Sequence, residues 1–202
     1  MNRRDIEIMA PAGSYESLIA AIQGGADSVY FGVEQLNMRA ASSNNFPLDD
    51  LKNIVSICNK NNLRSYLTLN VVVYDHEIEQ MQKIIDIAVE SGISAVIASD
   101  LSVINYSFSS GIEVHLSTQL NITNVEALKF YSRWADVVVL ARELNLDQVR
   151  LISNAIREQN IRGPRGELVK IEMFAHGALC MAVSGKCYLS LHENNKSANR
   201  GE

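Results

Sequence analysis

The sequence predicts an α/β protein, a TIM-like (β/α) barrel that is incomplete because about seven strands are found and the eighth is missing. Three observations indicate this fold class. Short β-branched runs alternate with amphipathic segments, the joints between helix and strand resemble one another, and the first turn lacks a phosphate-binding glycine pattern. Repeats of this kind form a parallel sheet covered by helices, and the sheet either stays open or closes into a barrel.

Seven short runs rich in valine, isoleucine and aromatic residues are predicted to be strands. Their spacing leaves room for one helix in most of the connections between them. The predicted strands are Ile6–Met9, Ser28–Phe31, Tyr66–Leu69, Ala95–Ile97, Val114–Leu116, Val137–Leu140 and Ile171–Phe174.

Apolar residues between the strands follow the helical spacing i, i+3, i+4 and i+7. Cys58 occupies the last position of one such stripe and is therefore predicted to be a core residue. Gly24, Gly25 and Gly92 stand where helices should stop and can supply the turn into the next strand. The two clearest stripes are Leu51, Ile54, Val55 and Cys58, and Ile78, Met81, Ile85 and Ala88.

The joints that lead from a helix into a strand recur along the chain. Residues 25–30 resemble residues 92–97, and residues 135–138 repeat the pattern. The first turn, residues 10–14, has neither the spaced glycines of a dinucleotide site nor a Gly-Lys-Ser/Thr loop, which favours a barrel over an open nucleotide-binding sheet. Because no strand follows the seventh, we expect a fragment of a longer protein, with a barrel over residues 1–175 and a cysteine-bearing segment over residues 176–202.

Composition narrows the class of protein. The chain has 202 residues, 47% of them apolar, a formal net charge of −5 and three cysteines. It is long enough for one sizeable core without a disulfide framework, and its charge argues against a surface devoted entirely to nucleic acid. No apolar run approaches the ~20 residues of a membrane span, so we expect no membrane association and a cytoplasmic protein.

Polar residues follow most of the predicted strands. In a (β/α) barrel the loops after the strands share one face, so these side chains should form a ring around one mouth. We expect His176, beside Gly177 after the seventh strand, to have a role in this site. The ring comprises Asn70, Ser99, Asp100, Ser117, Thr118, Gln119, Arg142, Glu143 and His176.

Several of these residues have a structural alternative. Asp100 could cap the helix that follows it, as could Asn121 or Thr123 for the next helix. Arg142 and Glu143 could form an ordinary ion pair. His115 lies within a predicted strand and is expected to be a hydrogen-bonded core histidine.

The known protease motifs do not match. His76-Glu77 begins like a zinc-protease pair, but Gln80 stands where the second histidine ligand is needed. Ser184 lacks a Gly-x-Ser-x-Gly elbow, and Lys186 is two positions away rather than three. A serine nucleophile is therefore unsupported.

The last part of the chain carries a motif that resembles a known family. Glu172-x-Phe174-x-x-Gly177-Ala178-Leu179-Cys180, four residues, then Gly185-x-Cys187-x-Leu189-Ser190 is similar to the signature of the collagenase-like peptidase family, peptidase family U32. Residues 9–13, 24–27, 116–119 and 140–144 are similar to family blocks in the same order, so the resemblance covers essentially all 202 residues.

The resemblance implies an RNA-modifying enzyme more than a protease. Members of this family include prephenate-dependent enzymes that add a 5-hydroxyl group to a cytidine of ribosomal RNA or to the wobble uridine of transfer RNA, and relatives active in ubiquinone hydroxylation. Residues 140–148 and 197–201 look most similar to the ribosomal RNA hydroxylase. The resemblance also implies an iron–sulfur cluster in which Cys180 and Cys187 match the first two of four cysteine ligands, with the other two beyond Gly201.

On this basis the site residues are given roles. Arg142 is expected to bind a carboxylate of the oxygen donor, His176 to transfer protons, and Gln119 and Glu143 to support them. We expect no stable cluster and no activity in this stretch alone, because two cysteines cannot complete the site. RNA contacts should come mainly from the missing C-terminal region.

Three alternatives stay open. Cys180 and Cys187 could be small buried residues at a barrel corner. The protein could be a peptidase, as the family name says. It could also be a non-catalytic or partner subunit, and the unpaired edge of the seventh strand could drive homo-oligomerisation.

Overall fold

The computed structural model describes residues 6–33, 36–37, 45–177, 180–195 and 197–200. Seven strands form one parallel sheet in the order in which they occur along the chain. Helices connect successive strands along most of the chain, as in an incomplete TIM-like barrel, which confirms the predicted fold class. The strands are β1 (Met9–Pro11), β2 (Ser28–Phe31), β3 (Arg64–Leu69), β4 (Ala95–Ala98), β5 (Glu113–Leu116), β6 (Val137–Val139) and β7 (Lys170–Glu172).

Four of the helices begin at polar residues whose side chains accept hydrogen bonds from free backbone N–H groups. Ser14 and Ser17 form a capping box at the start of the first helix, and Asn145 and Gln148 form one at the start of the sixth. The helices are α1 (Tyr15–Gln23), α2 (Leu51–Lys60), α3 (Ile78–Ser91), α4 (Leu101–Ser109), α5 (Val125–Tyr131), α6 (Leu146–Glu158) and α7 (Leu189–Asn194).

The predicted apolar stripes face the core. Leu51, Ile54, Val55 and Cys58 are all buried on α2, so the prediction for Cys58 is confirmed, and burial raises the pKa of its thiol to about 11. The stripe on α3 is buried at three of its four predicted positions, with Ile78 partly exposed. Gly92 ends α3 with φ +79°, a left-handed conformation that L-residues rarely adopt.

Several predicted strand boundaries are wrong, most of all those of the first and the last strand. The first strand does not cover Ile6–Met9, because it begins at Met9, and both Ile6 and Ile8 are exposed. The last strand ends at Glu172 and does not extend to Phe174. In both cases the apolar run extends beyond the residues that are in register with the neighbouring strand, and this register, not apolar character, sets the strand end.

Capping is confirmed for one of the residues considered and not for the others. Asp100 accepts a hydrogen bond from the backbone N–H of Ser102 and caps α4. Asn124, not Asn121 or Thr123, caps α5 by accepting from Ala127. Asn121 has φ +51° and ends the 3₁₀ turn Thr118–Leu120, a backbone conformation incompatible with capping α5.

None of the helices among the described residues is long and apolar enough to span a bilayer.

Candidate functional site

The face at the carboxyl ends of the strands collects the predicted polar ring. Ser117, Thr118 and Gln119 follow β5, and Arg142 and Glu143 follow β6. The Ser117 hydroxyl donates to Oε1 of Gln119 at 3.0 Å, which orients that amide. The prediction that these side chains share one face is correct for the loops after these two strands.

A tight turn in the cysteine-bearing segment rests on this face. Lys186 N–H donates to the Val183 carbonyl at 2.9 Å, and Gly185 has φ +74°. A Cβ atom at residue 185 would lie 2.1 Å from the carbonyl oxygen of Gln119. Only glycine therefore allows both this turn and its close approach to the end of β5.

Ser184 is the residue that joins the turn to the barrel. Its side chain is fully buried, and its Oγ lies 3.4 Å from Oγ1 of Thr118 and 3.3 Å from the backbone nitrogen of Arg142. Its own N–H donates to Oε1 of Glu143 at 2.7 Å. These partners give Ser184 a docking role, and no histidine of the described residues contacts it, so a serine nucleophile remains unsupported.

Arg142 and Glu143 both point to the cysteine-bearing segment. Arg142 Nη2 donates to the carbonyl of Ala182 at 3.1 Å, and its Nε lies 3.4 Å from Oγ of Ser184. No ion pair joins the two described side chains, so this alternative is wrong. Desolvation raises the pKa of Glu143, but hydrogen bonds, chiefly from the Ser184 N–H, outweigh it and leave the pKa below its usual value.

The two site cysteines are free and differ in exposure. Cys180 is exposed and Cys187 is partly buried. A hydrogen bond from the guanidinium of Arg142 lowers the pKa of the Cys180 thiol, with help from the backbone N–H of Ala182. Because the thiolate is the nucleophile and the metal ligand, Arg142 prepares Cys180 for either role. The alternative of buried structural cysteines is wrong for Cys180.

His176 lies on the surface between β7 and Cys180, and it is exposed. No described side chain forms a hydrogen bond or an ion pair with it, so its predicted role in proton transfer stays a prediction. Residues that precede His176 in the chain help to line a shallow cleft of about 150 Å³. The cleft is lined by Leu140, Ala141, Arg142, Leu144, Val149, Met173 and Phe174.

A second anchor fixes the far end of the cysteine-bearing segment, which sequence reasoning missed. Arg200 makes hydrogen bonds of 2.8 and 2.6 Å to the two carboxylate oxygens of Glu77, and its guanidinium lies 4.5 Å from the ring centroid of Tyr74. Val72 N–H donates to the Asn199 carbonyl at 3.0 Å. The segment therefore crosses the carboxyl face from the ends of β5 and β6 to the loop after β3.

The interior of the barrel is unexpectedly polar. Tyr66 on β3 is in register with Ala95 on β4, and Ala95 is in register with Glu113 on β5. His115 therefore lies two residues further along β5 than the position level with Tyr66. His115 is in register with Val137 on β6, and Val137 is in register with Lys170 on β7. Glu172 therefore lies two residues further along β7 than the position level with His115. A stagger of about two residues between alternate strands is that of a TIM barrel, which places the three side chains in one interior layer.

This layer rests on a charged layer at the amino ends of the strands. Glu7 pairs with Arg64 and accepts from the Tyr66 hydroxyl, while Glu113 lies 2.7 Å from Arg165. His115 Nε2 lies 3.1 Å from Oε1 of Glu113, which confirms the prediction of a hydrogen-bonded core histidine.

Burial dominates the titration of the interior groups. It lowers the pKa of His115, although Glu113 opposes the shift, and it raises the pKa of Tyr66 to about 12. It also raises the pKa of Glu172 to about 7. The signal for Glu172 in the sequence is a charged residue within the otherwise apolar run Ile171–Phe174. A search for polar residues that follow strands does not find it.

The described residues contain no group of three or more histidine, cysteine or acidic side chains placed to hold a metal. Of the three cysteines, Cys58 is buried in α2, so only Cys180 and Cys187 can contribute thiolates at this face. Their accessibility and the lowered pKa of Cys180 fit metal or cluster ligation. Two thiolates are half of the set that an iron–sulfur cluster uses.

Comparison with known proteins identifies relatives. The model of the family described as Peptidase family U32 matches residues 13–202. A collagenase of Porphyromonas gingivalis is 66% identical over all of this chain and 49% of its own length. A 23S rRNA 5-hydroxycytidine synthase of Escherichia coli is 37% identical over 98% of this chain and 28% of its own length. A tRNA hydroxylation protein of Bacillus subtilis is 30% identical over 96% of this chain and 44% of its own length.

Solved structures support the same fold. A U32 peptidase structure has a TM-score of 0.62 at 14% identity, over 83% of this chain and 66% of that one. A tryptophan synthase alpha chain from Legionella pneumophila has a TM-score of 0.53 at 19% identity, over 85% of this chain and 72% of that one. The chain spans about half the length, or less, of the curated relatives it matches.

Proposed function

Because the chain belongs to peptidase family U32, we propose that it takes part in the 5-hydroxylation of a pyrimidine base in RNA, a cytidine of ribosomal RNA or a uridine of transfer RNA. The observation that carries the proposal is the docking of a two-cysteine turn, through Ser184, onto the polar carboxyl face of a barrel. Relatives named for ribosomal and transfer RNA hydroxylation match nearly the whole chain. The proposal places the protein in the cytoplasm.

Cys180 and Cys187 would hold two of the four ligand positions of an iron–sulfur cluster. The other two thiolates have to come from outside this chain, since Cys58 is buried in α2. When bound, the cluster supplies one-electron redox chemistry. Arg142 favours the thiolate at Cys180, and the docked turn fixes both cysteines against the ends of β5 and β6.

Arg142 is also the residue proposed to bind the oxygen donor, with prephenate as the candidate. It borders the cleft between the loops after β6 and β7, whose other lining residues are apolar. A small apolar ring that carries a carboxylate matches such a cleft, because guanidinium groups bind carboxylates in a fixed planar geometry. Glu143 supports the site by accepting a hydrogen bond from the Ser184 N–H of the turn, and Gln119 by the close approach of its backbone carbonyl to Gly185.

RNA is the proposed macromolecular partner. The net charge of −5 gives this chain no overall attraction for RNA. Most phosphate contacts would therefore come from the portion that the longer relatives possess. The contribution of the chain described here would be to the base and to the cluster.

Mass spectrometry of nucleosides tests the proposal. Ribosomal and transfer RNA are isolated separately from cells that have or lack the gene, and from lacking cells that carry the gene again. We expect loss of 5-hydroxycytidine or of a 5-hydroxyuridine derivative, and its return on complementation. Unchanged nucleosides in both RNA pools would reject RNA hydroxylation.

A peptidase is the second candidate, because a 66% identical relative is named a collagenase. Among the described residues no hydrogen bond joins a serine or cysteine to a histidine, so no activated nucleophile supports it. Gelatin digestion by the purified protein tests this candidate. Cleavage that a Cys180→Ala variant loses and an Arg150→Gln variant keeps would favour it over hydroxylation.

A further inference from the structure

Glu172 occupies a position typical of site residues in barrels. It is the last residue of β7, and its neighbour Ile171 packs against the outer core, so the Glu172 side chain points to the barrel interior. The carboxyl ends of barrel strands are where substrate-contacting groups converge. The Glu172 side chain thus points into the barrel interior, directly beneath the face that the cysteine-bearing segment crosses.

The carboxylate of Glu172 and two polar atoms on the inner faces of β3 and β5 have no hydrogen-bond partner among the described residues. Among the described residues, no side chain donates a hydrogen bond to its carboxylate, and burial alone accounts for its shifted pKa. Nδ1 of His115 and Oγ1 of Thr68 are fully buried and have no hydrogen-bond partner among the described residues. Buried polar groups are nearly always hydrogen-bonded, so two unsatisfied buried atoms and a carboxylate without a donor in one interior indicate a ligand that satisfies them.

The chemistry of the three groups is known from their contacts. Glu113, whose pKa is lowered, accepts from Nε2 of His115, so Nδ1 carries a free lone pair and accepts a hydrogen bond. A hydroxyl such as that of Thr68 can donate or accept. A carboxylic acid in its neutral form donates and accepts side by side, which complements the N3 and N4 or O4 edge of a pyrimidine.

We propose that Glu172 hydrogen-bonds the pairing edge of the pyrimidine base that is modified, with Thr68 and His115 as neighbouring groups of the same site. The inference rests on the proposed function and names the part of the RNA that the barrel interior takes. An extruded base recognised by its Watson–Crick edge is how enzymes commonly reach a single base in RNA or DNA. The neutral acid suits either cytosine or uracil.

The ionisable groups that face Glu172 are few. β3 contributes Arg64 and Tyr66, and β5 contributes Glu113 and His115. Lys170 lies two residues before Glu172 on β7 itself. Tyr30 lies on β2, and Glu7 precedes β1. The inner faces of β4 and β6 contribute only apolar side chains.

Binding of free nucleosides to the purified protein tests the inference. Cytidine and uridine are the probes, observed by ligand-detected NMR at pH 6 and pH 8. We expect a pyrimidine nucleoside to bind more tightly at pH 6, where Glu172 is neutral, than at pH 8. Glu172→Leu should weaken pyrimidine binding about tenfold.

The amide variant gives the sharper result. Glu172→Gln keeps a donor and an acceptor side by side but cannot ionise, so it should bind at both pH values with no difference between them. Glu90→Gln, on the exposed outer side of α3, is the matched control and should behave as the wild type. Equal binding by wild type and Glu172→Leu, or a pH dependence retained in Glu172→Gln, would overturn the inference.

RNA analysis separates the inference from the proposed function. If hydroxylated nucleosides are lost when the gene is removed but persist in cells that carry the Glu172→Leu variant, the function stands and the role of Glu172 is rejected. If pyrimidine binding follows the variants as expected but RNA is unchanged without the gene, the binding role of Glu172 stands and hydroxylation is rejected.

Discussion

The backbone N–H of Ser184 donates a 2.7 Å hydrogen bond to Oε1 of Glu143. These residues are far apart in the chain, and the bond joins the turn between the two cysteines to the end of β6. Its consequence is that Cys180 and Cys187 flank a fixed point on the barrel face. A change at this contact is therefore expected to affect the cysteines before it affects the barrel.

Replacing Gly185 should release the turn. In Gly185→Ala, the new Cβ meets the Gln119 carbonyl and the residue must also keep a positive φ, so we expect the turn to leave the face. Cys187 should then react faster with a thiol reagent, while Cys58 stays protected. Gly111→Ala has the same backbone strain but open space, and should leave Cys187 unchanged; equal rates in the two variants would contradict the docking role.

Removing the charge at Arg142 should make Cys180 less reactive. The guanidinium holds the thiol pKa below its usual value, so Arg142→Gln raises that pKa and lowers the thiolate fraction at neutral pH. We expect alkylation of Cys180 at pH 7, followed by peptide mass spectrometry, to slow several-fold. Arg150→Gln, whose exposed partner is Asp147, is the control; a rate unaffected by Arg142→Gln would disprove the contact.

The ion pair between Glu77 and Arg200 should stabilise the protein in a pH-dependent way. The Arg200 hydrogen bonds hold the pKa of Glu77 below its unfolded value, so the stabilisation is complete above the unfolded pKa and is lost as the pH falls through the folded pKa. Glu77→Gln should cost about 1–2 kcal/mol at pH 7 by urea denaturation. The cost should shrink as the solution is acidified.

An exposed pair offers the comparison for this result. Glu126 and Lys129 lie on the surface of α5, and Glu126→Gln should change stability little at any pH. A cost for Glu77→Gln that stays constant with pH would show that packing, rather than charge, ties residues 198–200 to the barrel.

The purified chain should not hold an iron–sulfur cluster by itself. Two accessible thiolates are available, and a cluster takes four. Anaerobic reconstitution with iron and sulfide, followed by iron analysis and visible absorbance, measures this. A stable cluster that Cys180→Ser abolishes would mean that a second copy completes the ligand set.

The strand edges should promote self-association. β1 and β7 each pair on one side only among the described residues, and unpaired edges bind other chains. Light scattering should show oligomers that dissociate in Ile8→Lys, which places a charge directly before β1, but not in Ile19→Lys, which places a charge on the exposed surface of α1. A monomer at every concentration would reject the prediction.

Much of the fold was predictable because it depends on local patterns. The stripe ending at Cys58 faces the core as its spacing requires, and Asp100 caps α4 as its position before an apolar run suggests. The start of β1 was not predictable in the same way. Ile6 and Ile8 have strand-forming side chains, but the parallel register with β2 begins only at Met9, which is opposite Ser28.

The sequence by itself determined the order of strands and helices, the parallel barrel, the position of the polar loops and the cysteine motif. These follow from periodicity and from residue types at element ends, which are properties of short segments. Only the tertiary structure decided that Ser184 is the docking residue, that Arg142 contacts the cysteine-bearing segment, and that Glu172 faces inward beside His115. Those relationships depend on strand stagger and on contacts between residues distant in the chain, and no local pattern encodes such distances.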